Sequence, residues 1–167
     1  MRERCAILLL LLLLLGCGGD PRCVDPSDPI TPLPLGEAEL EGADGARRQA
    51  PHGPYLLHFW ASWCAPCRRE LPSLLEAARE LGVPILALST DAEWGPIRAF
   101  FSGPPPPEVL RERRGDLART LGVSTLPDTY LIDAEGRAIR RIGGALDWTR
   151  PETRAWLRTV RDSDACR

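Results

Sequence analysis

Cys64 and Cys67 stand three positions apart in Trp63-Cys64-Ala65-Pro66-Cys67, between an apolar run and a stretch of helical pattern. Two cysteines so placed on a first helical turn can close a disulfide, and the unpaired N–H groups and dipole there favour a thiolate on the outer sulfur. Its pKa then falls below the roughly 8.5 of a free thiol. In thiol–disulfide exchange Cys64, nearer the helix tip and more exposed, attacks or is attacked, and Cys67, one turn inward, resolves the mixed disulfide. Pro66 withholds an N–H from the thiolate, which is one handle on redox potential. Two other uses of the pair compete. A structural bridge over so short a loop is strained, and half of a zinc site lacks its other half: His52 and His58 are the only histidines and have no H-x₃₋₅-H spacing. No metal and no cofactor is expected.

These cysteines need a strand before them and a helix behind. Tyr55 to Ala61 is a near-continuous apolar run bounded by Pro54 and Ser62, the mark of a strand buried on both faces. The pattern predicts a helix from Cys64 to about Leu81, with Leu71, Leu74, Leu75, Ala78 and Leu81 on one stripe, a kink at Pro72 and a stop at Gly82. Pro84 to Ser89 reads as a second buried strand and Glu93 to Ser102 as a second helix. Pro104 to Pro107 force an exposed loop, and Val109-Leu110 either form a short strand or continue it. Asp116 to Gly122 reads as a short helix. Thr129 to Asp133 and Arg137 to Ile142 form a hairpin across Ala134-Glu135-Gly136, and Arg150 to Val160 is the last helix. Residues 35–49 suggest a short hairpin turning at Gly42 to Gly45. This order predicts an α/β layer sandwich around a mixed sheet.

The 167 residues suit one domain, and 21 basic against 23 acidic residues leave no field to draw nucleic acid. All 21 are Arg, so no lysine can serve as a base. Arg2 and Arg4 precede ten apolar residues, Ala6 to Leu15, too few to span a bilayer but fitting a secretory signal peptide. Leu14-Leu15-Gly16-Cys17 resembles the lipobox of bacterial lipoproteins, which implies lipidation of Cys17, although Leu15 stands where a smaller residue is usual. The organisation expected is a signal peptide with lipobox over 1–16, a Pro-rich tether over 17–34 reaching up to about 55 Å, and one domain over 35–167. The domain then lies outside the cytoplasm, on the periplasmic side of a bacterial membrane, where disulfides persist.

Phe59-Trp60-Ala61-Ser62-Trp63-Cys64-Ala65-Pro66-Cys67-Arg68-Arg69-Glu70-Leu71-Pro72 closely resembles the active-site segment of membrane-tethered thioredoxin-like reductases of the TlpA and ResA type. Gly122-Val123-Ser124-Thr125-Leu126-Pro127-Asp128-Thr129-Tyr130-Leu131-Ile132-Asp133 resembles that family's proline loop and following strand. The resemblance covers roughly residues 35–160. It implies a thioredoxin-like fold, a mixed central sheet with helices on both faces, and Cys64 and Cys67 as a redox disulfide. It also implies a cis Leu126–Pro127 bond, substrate backbone pairing at Thr125 and Leu126, approach past Gly144 (or Gly143) on the opposite side, and Trp63 and Pro66 framing the exposed sulfur.

Glu70 resembles the acid with which cytochrome-maturation reductases tune their cysteines; the alternative is a solvated surface glutamate. His58 departs from the family, which has a buried Asp or Asn there. It is expected either to be bonded to backbone or to relay a proton to or from Cys67. Asp128 also departs, and a carboxylate beside the proline loop would disfavour acidic substrates and raise the pKa of Cys64. The partners implied are protein disulfides, such as those of apocytochrome c, a membrane thiol-transfer protein as electron donor, and the membrane through Cys17; a monomer is expected. A thiol oxidase of the same fold, a copper-binding metallochaperone and a redox-inert interaction domain are the alternatives. Cys5 leaves with the signal peptide and Cys17 takes lipid, so Cys23 and Cys166 remain: either they pair, in a bond worth on the order of 4 to 5 kcal/mol by loop entropy if unstrained, or they are two independent, exposed thiols or belong to partners.

Overall fold

A computed structural model describes residues 25–36, 38–112 and 114–161. Cys5, Cys17, Cys23 and Cys166 lie outside the described residues. The strands are β1 (Asp28–Pro34), β2 (Leu40–Glu41), β3 (Arg47–Arg48), β4 (Tyr55–Trp60), β5 (Ile85–Ser89), β6 (Val109–Glu112), β7 (Asp128–Ile132) and β8 (Arg137–Gly143). The helices are α1 (Ala65–Leu81), α2 (Trp94–Phe101), α3 (Asp116–Thr120) and α4 (Pro151–Arg161). All eight strands join one sheet in the order β1-β8-β7-β4-β5-β6-β2-β3. The centre is parallel, β4 with β5 and β5 with β6, and the β7–β8 hairpin closes antiparallel on β4.

The six β4 residues are buried on both faces, as their apolar run predicts. Leu56 and Trp60 face a core completed by Leu71, Leu74 and Ala78 of α1 and by Trp156, Leu157 and Val160 of α4. Leu57 and Phe59 face the other, with Leu117 of α3, Tyr130 and Ile132. Because side chains alternate along a strand, His58 lies on the α1 side, the side of the cysteines. Helix α1 runs through Pro72 and stops at Gly82, whose φ of 68° is left-handed.

The tether assigned to residues 17–34 is corrected at its C-terminal end. Residues 28–34 pair antiparallel with β8, Asp28 opposite Arg141 and Pro34 opposite Arg137. Before them, Arg140 bonds Ser27 and forms an ion pair with Asp25 at 2.7 Å. Prolines are tolerated because β1 is an edge strand: a residue whose N–H faces outward has no ladder bond to lose, and proline also guards that edge against pairing with other chains. The domain thus begins before residue 35. Removing residues 1–35 is expected to lower stability by about 1–3 kcal/mol, through lost burial of Ile30, Leu33 and Leu35. An unchanged urea midpoint would restore the tether reading.

Candidate active site

Cys64 is the N-cap of α1 and Ala65 its first residue, so the CxxC occupies the helix tip as its position after β4 predicts. The two sulfurs are bonded at 2.08 Å, and the Cys67 N–H points at the Cys64 sulfur from 3.3 Å. Cys64 is 6% exposed and Cys67 fully buried, so the outer sulfur is the one that can be reached. A thiolate on Cys64 would keep the Cys67 N–H as donor, at the positive end of a 17-residue helix. Pro66 sits half-buried in the first turn.

The loop into the helix is held from one side by a carboxylate that the sequence reading missed. Buried Asp91 accepts from the Ser62 N–H at 2.8 Å, the Ser62 hydroxyl at 2.7 Å and the Ser89 hydroxyl at 2.7 Å. A signal was available: Ser89-Thr90-Asp91 puts polar groups at the carboxyl end of a buried strand, where α/β sheets keep their sites. Arg68 adds a bond to the Ser62 carbonyl and lies over the Phe100 ring.

The Leu126–Pro127 bond is cis. The Pro127 carbonyl accepts from the Gly144 N–H at 3.0 Å, which joins the proline loop to the end of β8. Gly144 has a φ of +86° and open space where a Cβ would stand, whereas Gly143 has no positive φ; Gly144 is thus the glycine this backbone requires. Thr125 is exposed, Leu126 half-buried, and Trp63 70% exposed, the large apolar side chain left open to solvent among the described residues.

Glu70 is no surface glutamate: it is 5% exposed. One carboxyl oxygen accepts the Leu146 N–H at 2.7 Å, and the other lies 3.6 Å from His58 Nε2. Burial pushes this carboxyl up to about 7, against the lowering pull of Leu146 and of the Trp148 indole, which stays beyond direct hydrogen-bond reach. Burial also drives the His58 ring down to about 3, so it is neutral in the fold. Its Nδ1 partner is the Thr129 hydroxyl at 2.9 Å, which corrects the expected backbone bond.

Asp128 requires a further correction. It is fully buried on the Tyr130 side of β7, away from the cysteines, held by two Arg141 bonds at 2.9 and 3.0 Å and by the Tyr130 hydroxyl. Its charge is paired there, and the expected effect on Cys64 and on acidic substrates is withdrawn.

The AhpC/TSA family model matches residues 37–141, which include the CxxC and the cis-proline. The chain belongs to the AhpC/TSA family. Its curated relatives in this family are thiol–disulfide oxidoreductases. It is 37% identical over 118 residues to the thiol:disulfide interchange protein DsbE homolog of Paracoccus denitrificans, spanning 67% of this chain and 64% of that one. It is 32% identical over 130 residues to the thiol-disulfide oxidoreductase ResA of Bacillus cereus, 73% of this chain and 72% of that one. Among solved structures, the exposed lipoprotein thioredoxin of Streptococcus pneumoniae superposes with a TM-score of 0.59 at 28% identity, covering 74% of this chain and 97% of that one. The sheet, the cis-proline and the CxxC place this AhpC/TSA member in a thioredoxin-like fold.

The Glu70 and His58 shifts give opposite slopes of stability against pH. Glu70, raised from 4.5 to about 7, keeps its proton in the fold while the unfolded chain loses it, so its contribution is full below pH 4.5 and is lost as pH rises to 7. His58, lowered from 6.5 to about 3, contributes fully above 6.5 and is lost as pH falls towards 3. Between pH 4.5 and 6.5 the two cancel. Relative to the native chain, Glu70→Gln should therefore gain stability with pH by about 1.4 kcal/mol per unit between 4.5 and 7. A flat difference between the two denaturation series would show that Glu70 ionises as an exposed acid does.

Proposed function

We propose that this chain is an extracytoplasmic disulfide reductase, anchored by lipid on Cys17, that works on protein disulfides such as those of apocytochrome c. The observation that carries the reading is the Cys64–Cys67 disulfide at a helix tip, next in sequence to exposed Trp63, in a fold whose Leu126–Pro127 bond is cis. In the reduced enzyme the Cys64 thiolate attacks a substrate disulfide and releases one substrate thiolate. The Cys67 thiol, its proton passing to Glu70 or to water, then attacks Cys64 and frees the second. Two electrons leave the dithiol and reduce one substrate disulfide, and a membrane thiol-transfer protein restores the dithiol.

Thr125 and Leu126 offer substrate backbone a strand-like edge before the cis bond, and Gly144 lets it pass on the other side. Glu70, neutral up to about pH 7 and one helical turn from Cys67, supplies an acid and base in reach of the resolving step. Export is supported by Arg2, Arg4 and the Ala6–Leu15 run, and the pneumococcal neighbour is itself described as an exposed lipoprotein. Among the described residues no helix is long and apolar enough to cross a membrane.

Cys67→Ser should accumulate mixed disulfides through Cys64, and Cys64→Ser should accumulate none; the trapped partners name the substrates. A Cys64–Cys67 potential near or below the roughly −270 mV of thioredoxin supports reduction, and one near −120 mV would make the enzyme an oxidase. A second bond, Cys23–Cys166, is proposed because both described ends approach one side chain. Arg140 pairs with Asp25 and lines a groove with Thr159 and Val160. Alkylation of the unfolded, unreduced protein without its signal peptide should then find neither thiol free.

A further inference from the structure

Beneath the cysteines, three polar side chains from three elements meet in a core that is otherwise apolar. His58 comes from β4, Glu70 from α1 and Thr129 from β7, with exposures of 0%, 5% and 1%. His58 Nδ1 is 2.9 Å from the Thr129 hydroxyl, and Nε2 is 3.6 Å from a Glu70 oxygen. That nitrogen, that oxygen and the Trp148 indole N–H are all buried without a hydrogen bond in reach, so the oxygen faces two groups, of which the indole can only donate and the imidazole can also accept. The other polar groups facing the carboxyl are the Leu146 N–H and the Trp148 indole, both donors, and Cys67 lies one turn back on α1. None of these can accept a proton from His58 or Glu70 except Cys67 itself.

A neutral imidazole is donor on one nitrogen and acceptor on the other, and a hydroxyl can be either. We propose that His58 is a positioning residue that holds Glu70 in place in both of its protonation states, by moving its ring hydrogen between Nδ1 and Nε2 against the Thr129 hydroxyl. With Glu70 protonated, the carboxyl O–H donates to Nε2, and Nδ1–H donates to Thr129. With Glu70 ionised, Nε2–H donates to the carboxylate and the Thr129 O–H turns to donate to Nδ1. The change releases one proton: the carboxyl hydrogen passes to Nε2 and the Nδ1 hydrogen goes to water. The ring is never charged, and the acid beside Cys67 never lacks a partner. This rests on the reading of Glu70 as the acid serving Cys67.

The test is ¹⁵N NMR of the His58 ring, with His52→Gln removing the other histidine, in the oxidised, full-length protein from pH 5 to 9. The expected result is a neutral ring throughout, with the hydrogen moving from Nδ1 to Nε2 in the interval where Glu70 ionises, near pH 7. Glu70→Gln should lock one tautomer at every pH; Thr129→Val should abolish the exchange and Thr129→Ser restore it. A fixed tautomer in the native chain, or a ring that takes a proton with a midpoint near 6.5, overturns the proposal. If the tautomer moves but Cys67→Ser traps no partner, the exchange reading fails and the proton arrangement stands. If partners are trapped and the tautomer is fixed, the role of His58 falls alone.

Discussion

Burying the Glu70 carboxyl constrains everything on its side of the disulfide. An acid removed from water without hydrogen bonds costs several kcal/mol, so the docking of α1 on the sheet favours a position with polar groups near its two oxygens. The Leu146 N–H meets one and His58 faces the other. The first contact fixes the segment following β8 against the helix, and two residues earlier that segment carries Gly144, whose N–H holds the Pro127 carbonyl. One buried acid thereby links the helix that bears the cysteines to the loop that bears the cis-proline. The two halves of the site lie about 60 residues apart in sequence.

A second carboxylate performs the matching task on the opposite side. Asp91 gathers the N–H and hydroxyl of Ser62 and the hydroxyl of Ser89, which sets the turn entering α1 relative to the end of β5. The bonds run to backbone and short side chains, so little rotamer freedom is lost in making them. Between the two clamps the CxxC sits on rigid elements, and the energy available to distort its geometry is small. The Asp128–Arg141 pair follows a different logic: it lies on the far face, takes no part in the sulfur chemistry, and ties β7 to β8 where Pro127 leaves the sheet. Three buried carboxylates thus have three different tasks, and burial raises that of Glu70 to a pKa of about 7.

What the sequence made legible was local. The run Tyr55–Ala61, the stripe of α1, the Gly82 stop and the β7–β8 hairpin follow from periodicities of a few residues, and the cis bond came with the motif around Pro127. Three features escaped for identifiable reasons. The β1 prolines read as tether because proline penalises a strand in general, and the exemption for an edge needs knowledge of which strand is the edge. Asp128 read as a carboxylate acting on Cys64 and on substrates because Arg141, its partner, sits thirteen residues on in the next strand. The partner of His58 is 71 residues away, and nothing in the neighbourhood of either residue marks the pair. Buried polar contacts between distant elements are the part of a fold that composition and spacing do not encode.

The form of the surface around the sulfur also bears on what the enzyme can bind. Two cavities, of about 480 and 200 Å³, are lined by residues such as Asp91, Arg111 and Glu112 in the first and Leu131, Trp156 and Val160 in the second. Neither includes Trp63, Cys64 or Pro127. Small-molecule sites bury most of their ligand in a concave pocket, and these two cavities are not lined by the sulfur. What the site does offer is an exposed indole and the peptide edge of Thr125 and Leu126, with Gly144 open opposite. Under the function proposed above, those features would suit an extended peptide, which brings its own backbone hydrogen bonds and an apolar side chain for Trp63. Affinity drawn from main chain alone would leave discrimination among disulfides to their accessibility and redox potential.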